Sequence, residues 1–233
     1  MKLIIVFLLS GFCFSQTGTT FIEYGVKAIP KESNLEKMSL EVCPNLYDIV
    51  EGITFNLYAN DTISLFEIED KFKEDNSTET GIAKLRSGYN GEIITKNDSI
   101  YNLNFANYLE RNLILKKEIK HDWNITNESK IINDLLCYKA ILKKETVNSK
   151  GTFVNTIIAW FSPEINLPYG PLGFSKLPGL ILEAQTKDCI YGVKKIEFNY
   201  KSEIKFPKID TNKFLEEEEF EKKINDYREE LKK

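Results

Sequence analysis

The side chains able to do chemistry are few and scattered. There is one histidine, His121, set between Lys120 and Asp122. A hydrolase of the nucleophilic kind needs a nucleophile, a base within reach of it, and a group that orients the base. Asp122 or Glu164 beside His121, and Glu183 farther along, are the residues that could begin such a set. No Gly-x-Ser-x-Gly elbow, no His-Glu-x-x-His and no second histidine completes it. The 35 acidic residues leave a two-carboxylate site formally open. Metal binding has no signature either, because no Cys-x-x-Cys occurs and a lone His between charged neighbours reads as a surface residue. The sequence therefore assigns no catalytic, cofactor-binding or metal-ligating residue, and expects no cofactor.

Cysteine usage and the N-terminus point to a compartment. Met1-Lys2 precedes an unbroken apolar run from Leu3 to Leu9, and the small-residue end Ser10 to Ser15 follows. One basic residue, a short apolar stretch and a small-residue end are the three regions of a signal peptide, here residues 1–15 with cleavage after Ser15. The apolar run falls far short of the roughly 20 residues a membrane-spanning helix needs, so no transmembrane segment is expected after cleavage. Acylation at Cys13 would require a small residue before it, and that position is Phe12. The mature chain keeps Cys43, Cys137 and Cys189, an odd number that allows at most one internal disulfide in an oxidising compartment. Cys137 and Cys189, both in apolar strand-like segments, are the first choice of pair; the alternative is three buried thiols acting as small hydrophobes.

Charge and composition exclude other classes. Without Lys2 the 31 basic residues become 30 against 35 acids, a net of about −5. No basic stripe is present, so nucleic acid is not an expected partner. With 42% hydrophobic and 12% aromatic residues the chain can bury a sizeable core, which rules out general disorder. Five Asn-x-Ser/Thr sequons, at Asn60, Asn76, Asn97, Asn124 and Asn127, are compositional accidents of a chain rich in Asn, Lys, Ile and Glu with three arginines. Such a composition resembles the product of an AT-rich bacterial genome.

The elements that would position any site are mostly strands. Thr20 to Ala28 alternates as a first strand, and Leu40 to Val50 is ambiguous between helix and strand. Ile53 to Ala59 and Thr62 to Glu69 flank Asn60-Asp61; Glu92 to Thr95 and Ser99 to Phe105 flank Asn97-Asp98. Asn and Asp tolerate the positive φ of a two-residue hairpin turn, so both pairs read as hairpins. Glu74 to Gly81 reads as a mobile loop. Leu113 to Ile119, Trp123 to Thr126, Leu135 to Lys144, Phe153 to Phe161, Leu180 to Ala184 and Tyr191 to Tyr200 continue the strands. Consecutive strands joined by tight turns make an antiparallel meander. From Thr211 the period changes: Phe220, Ile224, Tyr227 and Leu231 recur at helical spacing, predicting an amphipathic helix over 211–232. The expected fold is α+β and mainly antiparallel β, one domain over 16–233 built on a curved meander sheet.

The most informative stretch runs Trp160-Phe161-Ser162-Pro163-Glu164-Ile165, then Tyr169-Gly170-Pro171 and Phe174, and ends Lys176-Leu177-Pro178-Gly179-Leu180-Ile181. It is an apolar, aromatic excursion stiffened by prolines, which suits it to a single shape. It resembles the signature of the GLPGLI family, exported proteins of Bacteroidota named for that motif. Upstream, Trp123-Asn124-Ile125, Lys130-Ile131 and Cys137-Tyr138-Lys139-Ala140 also follow the family's pattern, so the resemblance covers residues 120 to 200. Lys176 stands where the family has its first Gly, which suggests that this position need not adopt positive φ. The family's role is unassigned. By fold-level analogy the pattern also resembles the half-open sheet of periplasmic lipoprotein carriers.

The expectation is a non-catalytic cell-envelope protein, periplasmic or secreted. It would present Trp160, Phe161, Pro163, Tyr169, Gly170, Pro171, Phe174, Leu177, Pro178, Gly179 and Leu180 as an apolar surface to a lipid, a lipoprotein or an envelope protein. The alternative for the same side chains is a plug for the protein's own core. A second expectation is an interaction module accessory to an outer-membrane receptor or transport system, and a hydrolase is a third.

Overall fold

A computed structural model of the chain describes residues 18–103, 113–148, 151–220 and 222–223. The expected signal peptide over 1–15 and, of the expected C-terminal helix over 211–232, residues 221 and 224–232 lie outside the described residues. Among the described residues, twelve strands form one sheet. They are β1 (Thr20–Ala28), β2 (Thr54–Ala59), β3 (Ile63–Ile68), β4 (Glu92–Lys96), β5 (Ser99–Leu103), β6 (Ile114–Glu118), β7 (Asn124–Ile132), β8 (Leu135–Asn148), β9 (Gly151–Ser162), β10 (Leu180–Gln185), β11 (Cys189–Glu197) and β12 (Phe214–Glu216). Their spatial order is β12-β6-β5-β4-β3-β2-β1-β11-β10-β9-β8-β7. Every neighbouring pair is antiparallel except β12 on β6. This is the mainly antiparallel curved meander that the sequence predicts.

Chain connectivity makes the curvature necessary. From β6 to β7 the order contains ten interstrand steps, about 48 Å along a flat sheet at about 4.8 Å per step. The chain covers that interval with residues 119–123 alone, and such a link reaches about 20 Å when fully extended. The sheet must therefore curl until its ends approach. It stays open, because no strand pairing joins β7 to β12 or β6 among the described residues.

The main core lies on one face of the central strands. Alternation along β1 places Ile22, Tyr24, Val26 and Ala28 in it, with Phe55, Leu57, Phe66, Ile93 and Tyr191 from the neighbours. On the other face, Phe21, Tyr58, Leu65, Ile94, Leu103 and Ile114 form a second cluster, covered by Tyr200, Ile204, Phe206, Ile209 and Phe214 from the C-terminal segment. That cover replaces the expected start of a helix at Thr211. Asp210 accepts the Asn212 N–H and closes a short 3-10 turn over Thr211–Lys213. Phe214 then packs against the Tyr101 ring at 5.5 Å, and the backbone runs extended as β12. Helical geometry begins only at residue 217.

Four helices lie between the early strands: α1 (Asn34–Val42), α2 (Leu46–Gly52), α3 (Asp70–Glu74) and α4 (Thr78–Arg86). The ambiguous 40–50 stretch is thus helical, and the expected loop over 74–81 carries the end of α3 and the start of α4. Ser33 and Ser77 cap α1 and α4 by accepting the N–H groups of Glu36 and Thr80. Helix α4 ends in a buried polar knot. Arg86 Nε reaches both oxygens of Glu36 at 3.1 Å, and its remaining nitrogens donate to the carbonyls of Ile29 at 2.6 Å and Asp188 at 2.8 Å. The Tyr47 hydroxyl adds a bond to Glu36 at 2.8 Å. Burial alone would push the Glu36 carboxyl up, but the bonds from Arg86 and Tyr47 hold it below its usual value.

Both Asn-Asp hairpins form, by different means. Asn97 adopts φ 55° in a two-residue turn between β4 and β5, as expected. Between β2 and β3 the connection has three residues, and Asn60 Oδ1 instead accepts from the backbone N–H groups of Thr62 and Ile63.

Candidate ligand-binding cleft

The excursion that follows β9 crosses the inside of the curl. Its middle, Pro171–Gly173, packs on β3 and β4, five and six strand steps away from β9 along the sheet. The excursion is tied to its own return strand, since Leu180 N donates to Ile165 O and Ile181 N to Tyr169 O, both at 3.0 Å. A Cβ on Gly170 would stand 2.7 Å from the Cβ of Ile181, and one on Gly179 would overlap the Ser162 carbonyl, so both positions need glycine for close approach. Of the signature residues, Phe161, Tyr169, Gly170, Pro171, Leu177, Gly179 and Leu180 are buried, Trp160 and Phe174 are half-buried, and Pro163 and Pro178 are exposed. The expected apolar surface is therefore mostly core. The excursion plugs the curl because a sheet bent this far has an interior that its own side chains do not fill.

The linker over 119–123 is pinned to that plug. Trp123 Nε1 donates to the Ser175 carbonyl at 2.8 Å, and the Ser175 N–H donates to His121 Nδ1 at 3.3 Å. His121, Trp123 and Phe174 pack ring against ring at 5.9 to 6.1 Å. His121 is thus a half-buried structural residue and not the surface residue its charged neighbours suggest. Burial lowers its pKa below the ordinary value, in keeping with an unprotonated Nδ1 that accepts a backbone N–H.

Other sequence expectations are also revised. Lys176 adopts φ 73°, so this position does take the left-handed conformation that it is expected not to need; its ammonium pairs with Asp98. Cys43, Cys137 and Cys189 are all free and buried. Cys137 on β8 and Cys189 on β11 are three strand steps apart, about 14 Å, beyond the roughly 7 Å between Cα atoms that a disulfide allows. Burial pushes the Cys137 thiol up to about 11 and also raises Cys189 and Cys43. The groups that could begin a hydrolase are not brought together. His121 holds Ser175, Glu164 accepts the Leu136 N–H at 3.1 Å, and Glu183 pairs with Lys130 at 2.8 Å. That last ion pair lies beside Trp160, whose ring carries Lys130 at 4.4 Å and Lys139 at 6.0 Å.

A cleft of about 500 Å³ opens beside the base of the excursion. Asn133, Leu135, Glu164, Ile165, Lys194, Lys195, Ile196 and Phe198 line it. Three local features assemble it. Asn133 and Asp134 both take positive φ and turn β7 tightly into β8. The Asn133 side chain then donates to the Val193 carbonyl at 3.2 Å and draws that turn toward β11. Opposite it, the β1–β11 register slips: Glu23 faces Lys195 and Tyr24 faces Val193, which leaves Lys194 as an extra residue. A bulge of this kind re-aims side chains, and so two consecutive lysines border one cleft. Leu135, Ile165 and Ile196 give an apolar floor, Phe198 is 45% exposed at the edge, and Glu164 closes one side. Sequence reasoning missed this site, although Asn133-Asp134 is the same hairpin signal that locates the two earlier turns.

No family model matches the chain, and no curated protein does. Among solved structures, PNGF-II in two crystal forms is similar, each with TM-score 0.48 and 17% identity, over 86% and 85% of this chain. The match spans 31% of the PNGF-II chain.

Proposed function

We propose that this chain is a non-catalytic exported cell-envelope protein of the GLPGLI family that holds a hydrophobic ligand, a lipid or the acyl part of a lipoprotein, in the cleft between the β7–β8 turn and β11. The observation that carries the reading is the cleft's make-up: an apolar floor of Leu135, Ile165 and Ile196, an exposed Phe198, and Lys194 and Lys195 at the border. Apolar walls with a few placed polar groups, in a volume within about 300 to 1,000 Å³, are what small-molecule sites usually have. An apolar body would lie on the floor while a polar or anionic head meets the lysines. Native mass spectrometry of the protein purified gently from its own envelope tests this. A reproducible added mass in the lipid range, lost in Phe198→Asp, supports it; a bare polypeptide mass in both proteins overturns it.

A second reading, an interaction module for another envelope protein, is favoured by one surface. Leu35, Met38 and Val42 recur on α1 at helical spacing and are 75%, 61% and 59% exposed. Recovery of a stoichiometric protein complex that Met38→Asp disrupts, with no lipid mass, would favour this reading over the first.

A further inference from the structure

A smaller recess, about 270 Å³, lies on another part of the curl, and its lining differs in kind from the cleft above. Asp61 and Thr62 come from the β2–β3 turn, Thr95 and Asn97 from the end of β4 and its turn, and Pro168, Tyr169, Ser175 and Lys176 from the excursion. Each of the three segments is held by its own bonds. Asn60 Oδ1 gathers two backbone N–H groups and the Thr62 hydroxyl. Asn97 holds its turn in the left-handed conformation. Tyr169 and Ser175 face each other as an isolated bridge, and Lys176 N donates to the Pro168 carbonyl at 3.2 Å. A recess with walls this fixed is preorganised, which lowers the entropy lost on binding.

We propose that this recess binds a small uncharged polyhydroxylated molecule, of the size and chemistry of a monosaccharide. The lining presents three aliphatic hydroxyls, one carboxamide, one carboxylate, one ammonium and the ring and phenol of a single tyrosine. Its one ammonium, Lys176, is already engaged by Asp98, and Asp61 adds a carboxylate, so the recess has no free positive charge to offer an anion. An anion therefore gains little here, whereas every hydroxyl of a sugar can both donate and accept among Thr62, Thr95, Asn97, Ser175 and Asp61. The ring of Tyr169 offers the apolar contact that the C–H face of a sugar needs.

Ser175 supplies the second observation. It is 2% exposed, it lines the recess, and its Oγ has no hydrogen-bond partner among the described residues. Leaving a buried hydroxyl unpaired costs about 1 to 3 kcal/mol, and a turn of the Ser175 side chain toward the recess would let a ligand hydroxyl supply the partner. Burial, with the Asp61 carboxylate nearby, also raises the Tyr169 phenol, so it stays protonated and able to donate.

The test is ligand-observed NMR with saturation transfer on the full mature chain, using D-glucose, D-mannose and D-galactose in turn, with glycine and inorganic phosphate as competitors. Binding of at least one sugar is expected, weakened about tenfold or more in both Ser175→Ala and Asp61→Asn. Ser175→Ala removes an unpaired group, so its unliganded melting temperature should be unchanged or higher, which separates lost binding from lost folding. Phe198→Asp in the other cleft should leave sugar binding intact, so failure of the lipid reading and failure of this one are distinguishable. No binding of any of the three sugars, affinity unchanged in both variants, or displacement by glycine or phosphate would each overturn the proposal.

Discussion

At the scale of single residues, this protein places ordinary side chains in conformations and surroundings that reverse their usual preferences. Lys176 sits at φ 73°, where a Cβ costs roughly 1 to 2 kcal/mol. Glycine should therefore be better tolerated than alanine: Lys176→Gly is expected to be about 1 kcal/mol more stable than Lys176→Ala in urea titration, the inverse of the order in regular structure. The identity of Lys176 was plain in the sequence, but its φ was not, since a lysine carries no sign of its backbone angle. His121 gives a pH signature. As the one histidine in the chain, it is the side chain whose ordinary pKa falls between pH 5.5 and 7.5. Its folded value lies below the unfolded value near 6.5. The stability it contributes is therefore complete above about pH 6.5 and is lost as pH falls through the lower, folded value. His121→Asn keeps an acceptor for the Ser175 N–H and does not titrate. The stability difference between wild type and this variant should change across that window; a constant difference would contradict a neutral His121.

At the scale of elements, two devices fix how pieces meet. The Arg86–Glu36 knot fastens the end of α4 to α1 and to the carbonyls of Ile29 and Asp188. Removing Arg86 leaves a carboxylate buried without its partner, so Arg86→Met is expected to lose about 3 to 5 kcal/mol by chemical denaturation. The double variant Arg86→Met with Glu36→Leu should recover much of that loss. The excursion is the second device. Phe161, 2% exposed at its start, should lose about 3 to 5 kcal/mol as Ala if it is core, while a surface role would leave stability nearly unchanged. The strands were legible because alternation and Asn-Asp turns are local signals. Helix α4 was not, since Thr78–Arg86 is polar along most of its length and is held by a cap and by long-range bonds to Glu36. Strand β12 was hidden for a related reason: its place is set by pairing with β6, about 100 residues earlier, and no local pattern encodes a partner at that distance. The cleft was hidden because it needs a bulge on β11 and a turn on β7–β8 to meet.

At the scale of the whole molecule, the order of strands divides the chain into two contiguous meanders, β1 to β6 and β7 to β11, joined along the β1–β11 seam. Residues 119–123 are the link between them. Cleavage there, at an inserted protease site, should leave two fragments that stay together on size-exclusion chromatography under native conditions and separate in denaturant. Dispersal on cleavage would mean that the link itself holds the curl. The seam also has a temporal meaning. β1 is the first strand of the chain, yet it occupies the middle of the sheet, and one of its two neighbours ends at Glu197. During synthesis its free edge must wait, unpaired, while more than a hundred residues follow. An exposed edge of that kind invites wrong pairing, and its closure is a slow, long-range event. The growing chain is thus most vulnerable in the interval before β11 emerges, and a factor that shields β1 during that interval would raise the yield of folded protein without touching the finished structure.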